Sequence, residues 1–228
     1  MTTKTALITG GSAGLGLALV RALDALDWRV ITDGRDATRL DDAVSGLRQV
    51  TAIPGDVADP GHRARLVDEA ARHGGVDLLV HNASTLGPTP LRPLAQLSAD
   101  ELASIWAVNA GAPVALTVAL LPHLRPGALL VSLSSDAAVE HYETWGGYAA
   151  TKAALDHLTL TLGVENGLRA YAVDPGDMRT AMHQAAFAGE DISDRPLPET
   201  VVPRFLALIA DPPTPGRLRL ADLDGRTF

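Results

Sequence analysis

A glycine-rich turn stands directly between an apolar run and a helical pattern at the start of the chain. The run, 4–9, leads into Gly10-Gly11-Ser12-Ala13-Gly14-Leu15-Gly16, and leucines then recur at helical spacing to position 26. A strand, a tight turn and a helix are therefore predicted in succession. Glycines let the backbone approach a bound group, and the helix N-terminus favours an anion such as a pyrophosphate. A turn that binds nothing has the same pattern, so both interpretations stay open.

Apolar runs and helical patterns alternate along the rest of the chain. The other predicted strands are 29–32, 50–53, 76–81, 127–132, 168–173 and 217–220. A capping box at Ser98–Glu101 predicts a long helix reaching Leu121, whereas 180–198 lacks clear periodicity and is predicted to be a long loop. We expect an α/β fold over 1–228: a single-domain, Rossmann-like, doubly wound parallel sheet of about seven strands with helices on both faces.

Polar residues follow the predicted strands at their carboxyl ends. The residues concerned are Asp33, Asp56, Asn82, Ser84, Ser134, Ser135 and Asp174. In open α/β sheets the carboxyl ends of the strands form the edge at which ligands bind. The sequence therefore predicts a ligand site along this edge.

The end of the second predicted strand bears on the choice of dinucleotide. An acid at the strand tip would bind a ribose 2′-hydroxyl, whereas an arginine would meet a 2′-phosphate. The tip position is Gly34 and Arg35 follows it, while the side chain of Asp33 should point the other way by strand alternation. We therefore favour NADP(H) over NAD(H). The alternative is that Arg35 is an ordinary solvated charge and Asp33 reaches round to bind NAD.

Two further polar residues have both a structural and a functional interpretation. Asp56 is placed to accept a hydrogen bond from an adenine amino group, or else to cap the helix that begins near Asp59-Pro60. Asn109 lies among apolar residues of the long helix, where a buried amide usually satisfies a neighbouring backbone group.

Tyr148 and Lys152 are one helical turn apart, which places their Cβ atoms roughly 5–6 Å from each other. The lysine charge would lower the pKa of the phenol from about 10 toward working pH and suit it to proton transfer. Such a pair also occurs between surface neighbours without a function. The pair alone does not decide between these interpretations.

Composition excludes several classes of function. The net charge of −8, without a cluster of basic residues, argues against nucleic acid, and the seven histidines lack ligand spacing, so we expect no metal. There is no cysteine, and Met1–Lys4 leads directly into a predicted strand, so we expect no signal peptide and a cytoplasmic location. The apolar run 112–121 contains Pro113 and is too short to span a bilayer, so no membrane partner is expected.

Together these motifs resemble the short-chain dehydrogenases/reductases. Thr9-Gly10-x3-Gly14-x-Gly16 is similar to the cofactor turn of that family, and Tyr148-x3-Lys152 to its catalytic pair. The other matching features, in order along residues 4 to 180, are Asp56-Val57, Asn82-Ala83, Asn109, Ser135, Pro175-Gly176 and Thr180.

The resemblance implies a role for each matching position. Tyr148 would be the general acid/base, Lys152 would lower its pKa and hold the nicotinamide ribose, Ser135 rather than Ser134 would bind the substrate oxygen, and Asn109 would position a water. The residues implied to bind the cofactor are Gly10, Ser12, Gly14, Leu15, Gly16, Arg35, Asp56, Val57, Asn82, Ala83, Tyr148, Lys152, Pro175, Gly176, Met178 and Thr180.

The chain departs from the family pattern at two places. His81 and Ser84 replace the first Asn and the Gly of the Asn-Asn-Ala-Gly segment, which we expect to adjust the floor of the cofactor site. The C-terminal strand lacks the usual Asp-Gly-Gly ending, which puts the tetramer interface of the family in doubt. The resemblance otherwise implies a homodimer or homotetramer.

The function expected from these features is an NAD(P)(H)-dependent oxidoreductase acting on a small carbonyl or secondary alcohol. The alternative from another class is a catalytically silent NADP(H)-binding sensor or scaffold. A nucleotide-sugar epimerase or dehydratase shares the Tyr-x3-Lys pair but usually needs a longer chain. The segments 136–145 and 178–198 are expected to line the substrate pocket, the second as a lid, and their aromatic residues and methionines indicate a partly apolar ligand.

Overall fold

A computed structural model describes residues 3–223. The strands are β1 (Thr5–Ile8), β2 (Arg29–Gly34), β3 (Val50–Pro54), β4 (Val76–His81), β5 (Leu124–Leu133), β6 (Arg169–Asp174) and β7 (Gly216–Arg219). The α-helices are α1 (Gly14–Ala25), α2 (Ala37–Val44), α3 (Pro60–Arg72), α4 (Ala99–Trp106), α5 (Ala112–Leu120), α6 (Gly146–Asn166), α7 (Ala181–Ala186) and α8 (Val202–Ala210).

The strands form one parallel sheet in the order β3-β2-β1-β4-β5-β6-β7. This is the predicted doubly wound, Rossmann-like architecture, and the prediction is confirmed. The strand order reverses between β1 and β4. At such a switch point the connections leave in opposite directions, so a crevice opens outside the carboxyl ends of these two strands.

The sheet is covered on both faces. Ile8, Val80 and Val131 point toward one core, to which α1 and α8 contribute, whereas Leu7 and Leu79 point toward the other, to which α3 and α5 contribute. Neighbouring residues of one strand thus enter different cores, as strand alternation requires. Both faces being buried explains why the central strands read as nearly continuous apolar runs.

Helix starts agree with the capping residues in the sequence. Ser98 and Glu101 form the predicted capping box at the start of α4. Asp36 caps α2, which begins at Ala37, three residues earlier than the predicted Leu40. Asp59 caps α3 by accepting from the N–H groups of Gly61 and His62. The helical-cap interpretation of Asp56 is therefore wrong.

Two segments differ from the sequence prediction. The long helix expected from Ser98 to Leu121 is divided by a π-helical turn at Ala107–Gly111, which contains Asn109. The expected loop 180–198 contains the short helix α7, whose N-cap is the hydroxyl of Thr180. Neither feature has a strong periodic signal, because a π-turn adds one residue to a helix and α7 is less than two turns long.

Among the described residues, one helical run, Ala99–His123, is long and apolar enough to cross a membrane by length and composition alone. Leu116 and Leu120 of this run are fully buried in the core that α3 shares. Core helices of globular domains pass the same test, so the run is weak evidence of a membrane span.

Close packing of α6 on β6 gives a test of the fold. Gly163 is buried, and a Cβ atom there would lie 2.5 Å from Cβ of Ala170. Helix propensity alone would favour Gly163→Ala by about 1 kcal/mol. We expect the opposite sign, a loss of roughly 1–3 kcal/mol in the free energy of unfolding, because overpacking forces α6 and β6 apart. Urea denaturation measures this difference.

The neighbouring Val164 provides the control, since it is 86% exposed. Val164→Ala should change the free energy of unfolding by no more than about 0.5 kcal/mol. A stabilised Gly163→Ala variant would show that α6 and β6 are not packed in this way.

Candidate active site

A cavity of about 660 Å³ lies along the carboxyl edge of the sheet. It is lined by Tyr148, Lys152, Ser135 and nearly all of the residues predicted to bind a cofactor. Gly16 and Asn109 are the two predicted site residues that do not line it. The sheet thus brings residues from 10 to 180 in the chain to one cleft, because all the strands end on the same side.

Asn82 holds the glycine turn against β4. Its side-chain amide donates to the carbonyl oxygens of Thr9 and Gly10, at 2.8 and 3.0 Å. A Cβ atom at Gly16 would lie 2.3 Å from the Asn82 Nδ2. Gly16 is therefore needed for packing behind the turn, and its contact with the cofactor, implied by the resemblance, stays a prediction.

The N-terminus of α1 opens into the cavity. Its N-cap, Ala13, makes no side-chain hydrogen bond, and the first turn has no acidic residue. Ala13, Gly14 and Leu15 line the cavity, so the N–H groups of this turn and its positive dipole end lie beside it. A backbone cradle of this kind fits the pyrophosphate of a dinucleotide.

Asp33 is occupied by protein groups. Its two carboxylate oxygens meet the N–H of Gly10 at 2.6 Å and Nε2 of His62 at 2.9 Å. The guanidinium of Arg65, which can only donate, lies 3.1 Å from Nδ1 of His62. The imidazole therefore accepts at Nδ1 and donates from Nε2 to Asp33. The sequence did not indicate this link between α3 and the glycine turn.

Positively charged side chains lie just beyond Asp33 in the sequence. Arg35 and Arg39 are both exposed, line the cavity and flank the N-terminus of α2. Asp56, on the neighbouring strand end, accepts from the N–H of Ala58 at 2.8 Å and also lines the cavity. This end of the cleft therefore carries two exposed guanidinium groups, while the acids near them are Asp36, which caps α2, and Asp56.

Lys152 is almost completely buried, and its ammonium donates to the carbonyl oxygen of Leu133 at 2.8 Å. Burial lowers the pKa of Lys152 to about 8, against the attraction of Asp156, which raises it. Nζ lies 5.5 Å from the ring centroid of Tyr148. The lysine is thus placed under the phenol and bound to the end of β5.

Burial raises the pKa of Tyr148, while hydrogen bonding with Ser135 and Ser84 acts in the opposite direction. The predicted lowering of this pKa by Lys152 is therefore wrong for the protein by itself. Burial disfavours the charged phenolate. The attraction of Lys152 does not offset this effect, because the ammonium of Lys152 donates to Leu133 O and not to the phenol.

The two adjacent serines have different surroundings. Ser134 is buried and donates to Asp156 at 2.7 Å, so its hydroxyl is used inside the protein. Ser135 lies beside Tyr148 and donates to Asp136 at 2.9 Å. Of the two, Ser135 is the one whose hydroxyl can turn from a neighbouring carboxylate to a ligand near the phenol.

The amide of Asn109 is fully used by protein groups. Oδ1 accepts from Ser84 Oγ and the N–H of Thr85, and Nδ2 donates to Thr85 O and Thr151 Oγ1. Four bonds exhaust the capacity of the group. The side-chain amide of Asn109 thus has no bond left for the water that the resemblance implies.

Of the two replaced residues of the Asn-Asn-Ala-Gly segment, only Ser84 lines the cavity. His81 is buried and pairs with Thr117 of α5 at 2.7 Å, and burial lowers its pKa to about 3. It therefore lies neutral within the core, and the expectation that it shapes the cofactor floor is wrong.

An aromatic group forms the wall beside Tyr148. The ring centroid of Trp145 lies 5.7 Å from that of Tyr148 and 6.0 Å from that of Phe187, which stacks on His183 at 4.7 Å. Asp136 faces the same space, and its carboxylate is bonded by the neutral donors Ser135, Ala137 and Tyr142. The expected segments thus line this end of the cleft with an apolar wall and one carboxylate.

Comparison with known proteins agrees with this geometry. Residues 4–191 match the model of the short chain dehydrogenase family. An uncharacterized oxidoreductase of Bacillus subtilis, YhxC, is 31% identical over 92% of this chain and 80% of its own length. Human dehydrogenase/reductase SDR family member 4 is 31% identical over 78% of this chain and 67% of its own length.

Solved structures give the same result. A short chain dehydrogenase from Escherichia coli CFT073, complexed with NADPH, has a TM-score of 0.88 at 28% identity, covering 96% of this chain and 97% of that one. An alcohol dehydrogenase from Thermococcus sibiricus, complexed with 5-hydroxy-NADP, has a TM-score of 0.85 at 26% identity, covering 99% and 100%. The chain therefore belongs to the short-chain dehydrogenases/reductases, oxidoreductases that interconvert alcohols and carbonyl compounds.

Proposed function

We propose that this protein is an NADP(H)-dependent reductase or alcohol dehydrogenase in which Tyr148 transfers the proton. The observation that carries the proposal is the meeting of Tyr148, Ser135 and Lys152 at one end of the cleft whose other end holds the glycine turn and Arg35. A nicotinamide dinucleotide bound along the cleft would supply or accept the hydride.

In the proposed reaction the residues act on the oxygen of the substrate. The Ser135 hydroxyl turns from Asp136 and donates to this oxygen, which fixes its position. Tyr148 then gives its proton to the developing alkoxide, or removes the alcohol proton in the reverse direction. Lys152 stabilises the negative charge that forms on the phenol. The aromatic wall of Trp145 and Phe187 and the segment 178–198, the proposed lid, exclude water from the reacting atoms.

The preference for NADP(H) rests on where the charges lie. Both oxygens of the Asp33 carboxylate, the competing group, already accept a protein hydrogen bond, from Gly10 N and His62, which hold the side chain toward the turn and α3. Arg35 and Arg39 are exposed at the cleft and beside the positive end of α2. A 2′-phosphate would be stabilised there by charge-assisted hydrogen bonds.

Arg35→Ala tests the preference. We expect the Kd for NADPH to rise about tenfold or more, because a hydrogen bond to a charged group contributes about 1.5–3 kcal/mol. The Kd for NADH should stay the same. Fluorescence titration measures both constants, with Arg21→Ala as control, since Arg21 is exposed outside the cleft. The proposal is wrong if NADH binds the unmodified protein at least as tightly as NADPH.

Tyr148→Phe tests the proton transfer. We expect kcat to fall about 10²–10⁴-fold on a panel of ketones and secondary alcohols, while the Kd for NADPH stays unchanged. Tyr171→Phe is the matched control, because that hydroxyl bonds Pro213 O away from the cleft. Full activity of Tyr148→Phe would remove Tyr148 from the acid–base role. Tight NADPH binding by the unmodified protein without turnover of any compound would favour the silent sensor.

The substrate end of the cleft favours a carbonyl compound with an apolar body and no anionic group. Asp136 is half-buried beside Ser135, and its carboxylate accepts hydrogen bonds from the neutral hydroxyls of Ser135 and Tyr142. A carboxylate on the substrate would meet this charge, because the cation of this part of the cleft, Lys152, is buried and bound to Leu133 O. Asp177 is different, because it is exposed and pairs with Arg195 at 3.5 Å.

A keto acid and its methyl ester form a matched pair of substrates for this idea. We expect kcat/KM to be at least about fivefold higher for the ester, because like charges a few ångströms apart in a cleft repel by about 1 kcal/mol or more. Asp136→Asn should reduce the difference severalfold, whereas Asp177→Asn should leave it nearly unchanged. Equal turnover of acid and ester by the unmodified protein would contradict the proposal.

A further inference from the structure

Three consecutive residues at the end of β5, Leu133–Ser135, are each held by a different charged side chain. Lys152 donates to Leu133 O at 2.8 Å, Asp156 accepts from Ser134 Oγ at 2.7 Å, and Arg217 donates to Ser135 O at 2.9 Å. The first two charged residues are one turn apart on α6, and the third comes from β7, more than sixty residues later. The segment that carries the proposed substrate-binding hydroxyl of Ser135 is thus held by Lys152, Asp156 and Arg217, which together are called the charged support.

The members of this support are joined to each other. Arg217 bonds Asp156 at 3.1 Å and lies 3.8 Å from Asp174, whose other oxygen accepts from Gly176 N at 3.0 Å. The side chains of Asp156 and Asp174 are only 10% and 5% exposed. Arg217 therefore links the Ser135 segment to the Pro175-Gly176 segment, on the two sides of the cleft.

Burial makes the balance of charges in this group important. A buried ammonium or carboxylate is costly unless an opposite charge and hydrogen bonds compensate it. Lys152 has one strong hydrogen bond, to a backbone carbonyl, and the nearest acid on its own helix face is Asp156. Arg217 in turn offsets the charge of Asp156. The three side chains thus form an alternating series of charges.

We infer that Asp156 and Arg217 are positioning residues for the reaction: Asp156 keeps Lys152 charged, and Arg217 sets the strength of that attraction while fixing the Ser135 segment. The inference rests on the proposed function, since it assigns Asp156 and Arg217 to the support of Tyr148, Lys152 and Ser135. Neither Asp156 nor Arg217 lines the cleft. Each acts through a neighbour.

The pH dependence of the reaction reports on this support. Within the described part of the chain, the acids that act on Lys152 or Tyr148 are Asp156 on α6, Asp136 after β5 and Asp174 on β6, and Arg217 on β7 pairs with Asp156 and Asp174. Burial lowers the pKa of Lys152 to about 8, whereas it raises that of Tyr148. As pH rises, Lys152 loses its proton before Tyr148 does. The kcat for carbonyl reduction should therefore fall as pH rises past about 8, and this fall is the alkaline limb of the pH profile.

Two variants should move this limb in opposite directions. Asp156→Asn removes the attraction that keeps Lys152 protonated, so the limb should move to lower pH by about one unit. Arg217→Gln leaves Asp156 fully available to Lys152, so the limb should move to higher pH by about half a unit. Arg217→Lys keeps the positive charge and should restore the limb of the unmodified protein. General loss of structure would not separate the two variants by sign.

Arg219→Gln is the matched control, because Arg219 lies on the same strand, is 63% exposed and approaches Asp174 at 3.9 Å without reaching Asp156. Its pH profile of kcat should equal that of the unmodified protein, as should the Kd for NADPH in all four variants below pH 7. If Asp156→Asn does not fold, Arg217→Gln and Arg217→Lys still carry the test.

The inference is overturned if the limbs of Asp156→Asn and Arg217→Gln move in the same direction, or if Arg217→Gln leaves the limb unmoved. Tyr148→Phe separates this failure from failure of the proposed function. If Tyr148→Phe is inactive but the alkaline limbs of Asp156→Asn and Arg217→Gln do not move, only the roles of Asp156 and Arg217 are contradicted. If Tyr148→Phe is active, the proposed chemistry itself is contradicted.

Discussion

The ammonium of Lys152 is buried, and much of the site follows from the need to compensate it. One bond to Leu133 O and the nearby carboxylate of Asp156 are its compensation, and both require α6 to lie close on the end of β5. That closeness in turn requires Gly163, farther along the helix, where a side chain would meet Ala170. A buried charge in the site and a missing side chain in the core thus depend on the same helix-to-sheet distance.

The sheet-facing stripe of α6 is unusually polar for a core helix. Thr151, Asp156 and Thr159 are buried along it, and they pair with Asn109, Ser134 and Ser132. Apolar residues of similar volume would often be as stable or more stable than such buried pairs. The stripe instead specifies one register of α6 against β5 and the π-turn, because any slip would leave several buried polar groups without partners. This register places Tyr148 at the mouth of the cleft.

The sheet, its helices and the location of the cleft could be predicted from the sequence, since apolar periodicity, caps and polar strand ends are local signals. The neighbours of each polar residue could not. Asp33, Asp56, Asp59 and Asp156 look alike in the sequence, yet they bind a turn, a loop, a helix start and a partly exposed arginine. Arg217 had no signal at all, because its partners lie more than forty residues away and depend on β7 pairing with β6.

Local charge, not net charge, decides what an acidic chain can bind at this edge. Three carboxylates near the cleft are bound within the protein: Asp33 by hydrogen bonds, and Asp156 and Asp174 by Arg217. The other charged side chains along the cleft include the exposed Arg35 and Arg39, with Asp56, at one end, and the half-buried Asp136 with the exposed Asp177 at the other. A protein of net charge −8 can therefore present a positive pole to a phosphate and a negative one to the substrate, because the potential inside a cleft follows the unpaired groups nearest to it.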